Sequence, residues 1–184
     1  MIYKKKLHKI KNFILDVDGV FTDGSIIVDS DGNEMRVFNT KDGIAVKFAT
    51  DIGYNFCVIS GGNNEGVRKR LSKLGVKNIF LGVDDKKKVF DNFLSENNLN
   101  INETLFMGDD LPDINILKEV GLSSCPSDAC PEVKEVADYI SIKNGGDGCV
   151  RDVIEQVLRI NGDWKIKNNQ KNIWCLTGRG NIQF

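Results

Sequence analysis

Two aspartates one residue apart, Asp16 and Asp18, close a short apolar run in the stretch FILDVDGVFTDG, residues 13–24. Carboxylates at the mouth of a buried strand repel each other, a cost that stands unless a cation, hydrogen bonds or a proton offsets it. A hard divalent cation does this well, because Mg2+ takes one or two carboxylates together with water and phosphate oxygens. Three further features carry matching chemistry. Ser60, in VISGG, offers a hydroxyl, and Gly61 and Gly62 behind it let backbone N–H groups approach an anion closely. Lys86 brings an ammonium, and Asp109 with Asp110, in MGDDLPD, brings further carboxylates. These residue types describe an anionic group held between Mg2+, a hydroxyl and an ammonium, with a carboxylate ready to attack it. That is the chemistry of phosphoryl transfer through an acyl phosphate.

Such residues must be brought together by the elements that precede them. FILDV (13–17), YNFCVIS (54–60), KNIFLG (77–82) and ETLFMGDD (103–110) read as strands. Between them DGIAVKFATDIG (42–53), NEGVRKRLSKLG (64–75), DKKKVFDNFLSENN (85–98) and PDINILKEVG (112–121) have helical spacing. LSSCP, PEVKEVA, DYISI and GCVRDVIEQVLRI continue the alternation. SIIVD and EMRVF flank the turn-rich SDGN and predict a β-hairpin over 25–39. The pattern predicts an α/β fold, a doubly wound, mainly parallel sheet with helices on both faces. In such sheets ligands bind beyond the carboxyl ends of the strands, where strand order reverses. Asp16, Ser60 and Asp109 all follow strands, so that edge is the expected site.

The chain of 184 residues, 41% of them hydrophobic, suffices for one core, and one domain is expected over residues 1–162. Residues 163–184, without clear periodicity, read as a tail that is disordered unless docked. A formal net charge of −1 gives no reason to expect nucleic acid or an anionic membrane as partner. The basic start YKKKLHKIK reads as a solvated end and lacks an apolar export signal. No apolar stretch approaches the roughly 20 residues that span a bilayer. The five cysteines, Cys57, Cys125, Cys130, Cys149 and Cys175, show no C-x-x-C spacing. A reduced, cytoplasmic protein without zinc is expected.

LDVDGVFTDG, VISGG, GVDDK and MGDDLPD resemble the four motifs of the haloacid dehalogenase superfamily of phosphatases, over about residues 10 to 160. More narrowly, the TDG of the first motif, the hairpin, VFNTKDGIAV and NGGDGCVRDVIEQVL resemble the 3-deoxy-manno-octulosonate 8-phosphate phosphatases. Relatives of those enzymes act on nine-carbon ulosonic acid phosphates. The resemblance implies that Asp16 is the nucleophile and that Asp18 protonates the departing sugar oxygen, then activates water. It implies Mg2+ held by the Asp16 carboxylate, the Asp18 carbonyl and Asp109. Ser60 and Lys86 would grip the phosphoryl oxygens, with Asp113 paired to Lys86 and with Thr22 and Asp110 as further supports. Asn39, Lys41, Asp42, Gly43, Lys47, Gly61, Gly62 and Arg70 fall where the family contacts substrate. The chain departs from the family at Gly62, Lys41 and Asp147, where arginine is usual, and lysine does not replace its two-pronged grip on a carboxylate.

Spacing limits the architecture further. From Asp18 to Ser60 there is room for a hairpin, one helix and one strand, and from Ser60 to Lys86 for one helix and one strand. Neither interval holds the cap domain of larger members. In the resembling subfamily, hairpins join four subunits and a neighbour's tail covers the site, so a homotetramer is expected. The expected activity is hydrolysis of an ulosonic acid phosphate, with eight- and nine-carbon acids both open. Two rivals use similar parts. A response-regulator receiver places its acceptor aspartate after a middle strand, so motif order argues against it. The other is a non-enzymatic module that tetramerises a nucleotide-sugar biosynthetic partner.

Overall fold

A computed structural model of the protein describes residues 3–165. The sheet strands are β1 (Asn12–Leu15), β4 (Asn55–Ile59), β5 (Asn78–Phe80), β6 (Thr104–Met107), β7 (Leu122–Cys125) and β8 (Tyr139–Ile140). They run parallel in the order β5-β4-β1-β6-β7-β8. The chain thus starts at the centre, winds outward to one edge, returns across β1 and winds to the other. A small separate hairpin is formed by β2 (Ile27–Val28) and β3 (Glu34–Met35). The helices are α1 (Lys4–Leu7), α2 (Thr40–Asp51), α3 (Glu65–Lys73), α4 (Lys86–Glu96), α5 (Ile114–Leu117), α6 (Pro131–Val136) and α7 (Cys149–Ile160).

Alternation along each strand builds two cores. Phe13 and Leu15 of β1, Phe56 and Val58 of β4, and Leu105 and Met107 of β6 face α2, α3 and α7. Ile14, Cys57, Ile59 and Phe106 face the other way, onto Phe90 and Phe93 of α4, Ile116 of α5 and Val133 of α6. All four residues of β1 and of β6 are buried, as both-face coverage of a parallel sheet requires. On α7 the buried positions Val150, Val153, Ile154, Val157 and Leu158 form one apolar stripe at helical spacing. Side chains close the helix starts facing the site: Asn39 accepts from Lys41 N, Asn64 from Val67 N and Asp85 from Lys88 N.

Three elements differ from expectation. The hairpin pairs only two residues per strand, with Ile27 opposite Met35 and Val28 opposite Glu34. Neither of its faces is buried within the chain, and an isolated two-stranded ribbon gains little from length. The segment after Asp110 begins as a 3-10 turn, Leu111–Asp113, capped by the Asp110 side chain, and continues only as the one-turn α5. The basic start is not purely solvated, because α1 buries Leu7 and Ile10 follows it into the core. Trp164 packs against Phe48 with tilted rings, centroids 5.2 Å apart, and Arg151 and Arg159 lie over its ring. The rest of the expected tail lies outside the described residues, as do Trp174 and Cys175. The four described cysteines are free thiols. Among the described residues, no helix is long and apolar enough to cross a membrane.

Candidate active site

Strand order reverses at β1 and β6, and at their carboxyl ends lies a cleft of about 360 Å3. Asp16, Asp18, Ser60, Gly61, Gly62, Lys86, Asp109 and Asp110 line it together with Gly19, Gly24 and Pro112. All but Gly24 come from the first residues beyond a strand or the first turn of a helix. Asp16 extends β1 by one residue, its N–H donating to Met107 O at 3.0 Å. Ser60 extends β4, its N–H donating to Phe80 O at 2.9 Å. Lys86 opens α4 directly after the Asp85 cap.

Inside the cleft these groups form one linked set. Lys86 Nζ donates to Asp16 Oδ2 at 2.6 Å and to Asp113 Oδ1 at 2.9 Å. Asp113, wholly buried, accepts the Asp109 N–H on its other oxygen at 3.1 Å. The second oxygen of Asp16 accepts the Val17 N–H at 2.6 Å. Carboxylate oxygens of Asp16, Asp109 and Asp113 all lie within 4.8 Å of one another. Burial, then repulsion from Asp113, raises Asp16 to about 6 although Lys86 opposes the shift. Burial, then the charges of Asp16 and Asp113, raises Asp109 to about 7. Burial works against the Lys86 ammonium, but Asp16 and Asp113 outweigh it and hold its pKa above the ordinary lysine range. One ammonium faces three carboxylates, so the donor set is all-oxygen and short of positive charge. A hard divalent cation fits it.

Backbone shape makes the crowding possible. Gly19 has φ +81°, and a Cβ there would lie 2.0 Å from Asp109 Oδ2, so a glycine is required where the loop after β1 meets the loop after β6. Buried Thr22 ties that loop down, its hydroxyl accepting the N–H groups of Gly19 and Gly24 at 3.3 and 3.2 Å. The Ser60 hydroxyl accepts the Gly62 N–H at 3.2 Å, which shapes the second loop around the cleft.

The residues read as substrate contacts divide. Gly61 and Gly62 line the cleft, and Arg70 lines an adjoining hollow of about 430 Å3. Asn39, Lys41, Asp42, Gly43 and Lys47 do not line the cleft within the chain, because α2 packs along α7. Asn39 caps α2 and donates to Gly146 O at 3.2 Å. The Asp42 carboxylate is buried and accepts the Arg151 N–H at 2.7 Å, closing the start of α7, whose own cap position is Gly148. Burial raises Asp42 to about 6. Gly43 lies under the Arg70 guanidinium, Lys47 pairs with Asp51, and Lys41 borders a separate hollow with Asp147 and Arg151.

One charged residue at the site was missed in sequence. Arg36 donates from Nε to Asp18 Oδ1 at 3.1 Å and from Nη1 to Glu34 at 2.5 Å. In the extended run that EMRVF predicts, the i, i+2 spacing of Glu34 and Arg36 would place both on one face, although β3 itself ends at Met35. Nothing local in the sequence says that this face folds back onto Asp18.

Comparison with known proteins fits this geometry. The model for haloacid dehalogenase-like hydrolases matches residues 82–154. The 3-deoxy-D-manno-octulosonate 8-phosphate phosphatase of Haemophilus influenzae is 31% identical over 159 residues, 86% of this chain and 88% of that protein. Its counterpart in Escherichia coli K12 is 33% identical over 157 residues, 85% of this chain and 84% of that protein. The crystal structure of the Moraxella catarrhalis phosphatase of the same name, with magnesium, phosphate and KDO, superposes with a TM-score of 0.85. That protein is 32% identical, and the match covers 88% of this chain and 93% of it.

Proposed function

Since this chain belongs to the haloacid dehalogenase-like hydrolases, in their 3-deoxy-D-manno-octulosonate 8-phosphate phosphatase branch, and is a phosphoric monoester hydrolase, we propose that it hydrolyses the phosphate of an ulosonic acid with Mg2+ as cofactor. The observation that carries this reading is the linked set Asp16–Lys86–Asp113–Asp109 at the ends of β1 and β6, with Asp18 two residues beyond Asp16.

Asp16 and Asp109 would hold Mg2+ through carboxylate oxygens and Asp18 through its carbonyl. Bound there, the cation supplies the charge neutralisation that lets a phosphate dianion enter among carboxylates. Lys86 and the Ser60 hydroxyl orient the phosphoryl oxygens. The Asp16 carboxylate oxygen attacks phosphorus, the bond to the sugar oxygen breaks, and Asp18 gives that oxygen its proton. Asp18 then accepts a proton from water as the water oxygen attacks phosphorus, which breaks the bond to Asp16 and frees phosphate. Two residues of spacing let one loop present nucleophile and proton carrier to one phosphorus.

The chain is further read as a homotetramer assembled through the hairpin. Ile26, Ile27, Val28, Met35 and Val37 are exposed there, with Val28 61% and Val37 66% exposed, an apolar patch that a second copy would cover. Sedimentation as a monomer at micromolar concentration would count against this assembly. The activity is tested by a screen of eight- and nine-carbon 2-keto-3-deoxy acid phosphates with Mg2+. Preference for one of them over carboxylate-free sugar phosphates is expected, and equal turnover of all would refute the substrate class. Asp16→Asn is expected to abolish turnover of every substrate, including an aryl phosphate.

A further inference from the structure

Beside the phosphoryl cleft, the hollow of about 430 Å3 is lined by Glu34, Arg36, Phe38, Asn64, Val67 and Arg70. Arg36 reaches both spaces. Its guanidinium contacts Asp18, which lines the cleft, through Nε at 3.1 Å and Nη2 at 3.4 Å, while Nη1 donates to Glu34. A guanidinium carries five N–H donors, and these contacts use three. Among the described residues the other two, one on Nη1 and one on Nη2, have no protein partner.

Gly62 makes room for the carboxylate to which this guanidinium is paired. A Cβ at position 62 would lie 2.9 Å from Asp18 Oδ2 and 3.5 Å from Arg36 Nη2. A side chain there would press on the Asp18 carboxylate that Arg36 holds and only touch the guanidinium itself, so glycine at 62 leaves the Asp18–Arg36 pair undisturbed. The Arg36 side chain is only 4% exposed, which separates it from an ordinary solvated surface charge. Glu34 holds one edge of the fork and Asp18 another, so the two remaining donors are pre-oriented. A planar pair of N–H groups held in this way matches a carboxylate. Arg70, on the wall of the same hollow, supplies the second positive charge that a third anion beside Glu34 and Asp18 requires.

We propose that Arg36 is a specificity-determining residue that binds the carboxylate of the sugar-acid phosphate while remaining paired to Asp18. This rests on the sugar-acid reading of the substrate given above. The position of the sugar acid is then sensed beside the group that protonates its departing oxygen, and a phosphate ester lacking the carboxylate leaves the two donors unpaired.

The test compares kcat/KM for a 2-keto-3-deoxy acid phosphate with that for a carboxylate-free hexose 6-phosphate, on the Mg2+-loaded protein. The wild type is expected to favour the acid. Arg36→Ala should lower that ratio at least about tenfold, chiefly through KM for the acid, and Arg36→Lys should recover only part of it, having one prong. Arg36→Lys also reads the ratio if the alanine variant does not fold. Equal losses on both substrates would mean that Arg36 only positions Asp18, and would overturn the proposal while leaving the sugar-acid reading intact. A wild type without preference for the acid would overturn both.

Discussion

Protons and Mg2+ should compete for the cluster at the ends of β1 and β6, with a size set by the site itself. Asp16 and Asp109 are raised to about 6 and about 7, chiefly by burial and then by neighbouring carboxylates, and a cation binds only their ionised forms. The sign follows directly: as pH falls through 7 and then 6, the carboxylates take up protons and affinity for Mg2+ falls. For Asp109 alone the free fraction drops from about one half at pH 7 to about one hundredth at pH 5, a loss of about 50-fold. Asp16 adds up to about a further tenfold over the same interval. The total fall is therefore expected between about 50-fold and about 500-fold. Calorimetric titration of the metal-free protein with Mg2+ at pH 5, 6, 7 and 8 measures it. Repeating the pH 6.5 titration in buffers of different ionisation enthalpy counts the protons released, and about one per cation is expected. Asp113→Asn removes a charge that raises both groups, so its affinity profile should shift to lower pH. Affinity that stays level from pH 5 to pH 8, or binding without proton release, would refute the reasoning.

Gly19→Ala should weaken Mg2+ binding more than tenfold, because its Cβ would lie 2.0 Å from Asp109 Oδ2 on a backbone with φ +81°; the same titration at pH 8 checks it. Ser60→Ala removes a hydroxyl from the cleft and should reduce kcat/KM by about 10- to 100-fold at unchanged melting temperature, read by steady-state kinetics and thermal denaturation. Asp42→Asn tests the buried carboxylate under α7. Its folded-state pKa of about 6 stands above the ordinary 3.8, so its contribution to stability is lost as pH rises from about 4 to about 6, by about 3 kcal/mol in all. The variant should therefore gain more over wild type at pH 8 than at pH 5, and a pH-independent difference in melting temperature would count against this.

How much of this was legible depended on whether the cause lay in the local chain or in a distant contact. The doubly wound sheet was legible because β1, β4 and β6 are buried on both faces and so appear as unbroken apolar runs. The cleft was legible for the same reason, since Asp16, Ser60 and Asp109 sit on the first residues beyond those runs, where backbone geometry aims them. Lys86 and Asp113 follow the same logic from the start of α4 and from the residue just before α5. The specificity residues obey no such rule. Asp42 lies in a motif that suggests a ligand, yet the cap position of α7 is Gly148, with no side chain to close the helix, and the carboxylate turns to the Arg151 N–H instead. Arg36 carries the opposite lesson. It lies one residue past β3, a strand too short to orient it, and its place is decided by Asp18 and Glu34. An absent side chain at 62 looks in sequence like a lost contact; in space it leaves room for the Asp18 carboxylate that Arg36 holds.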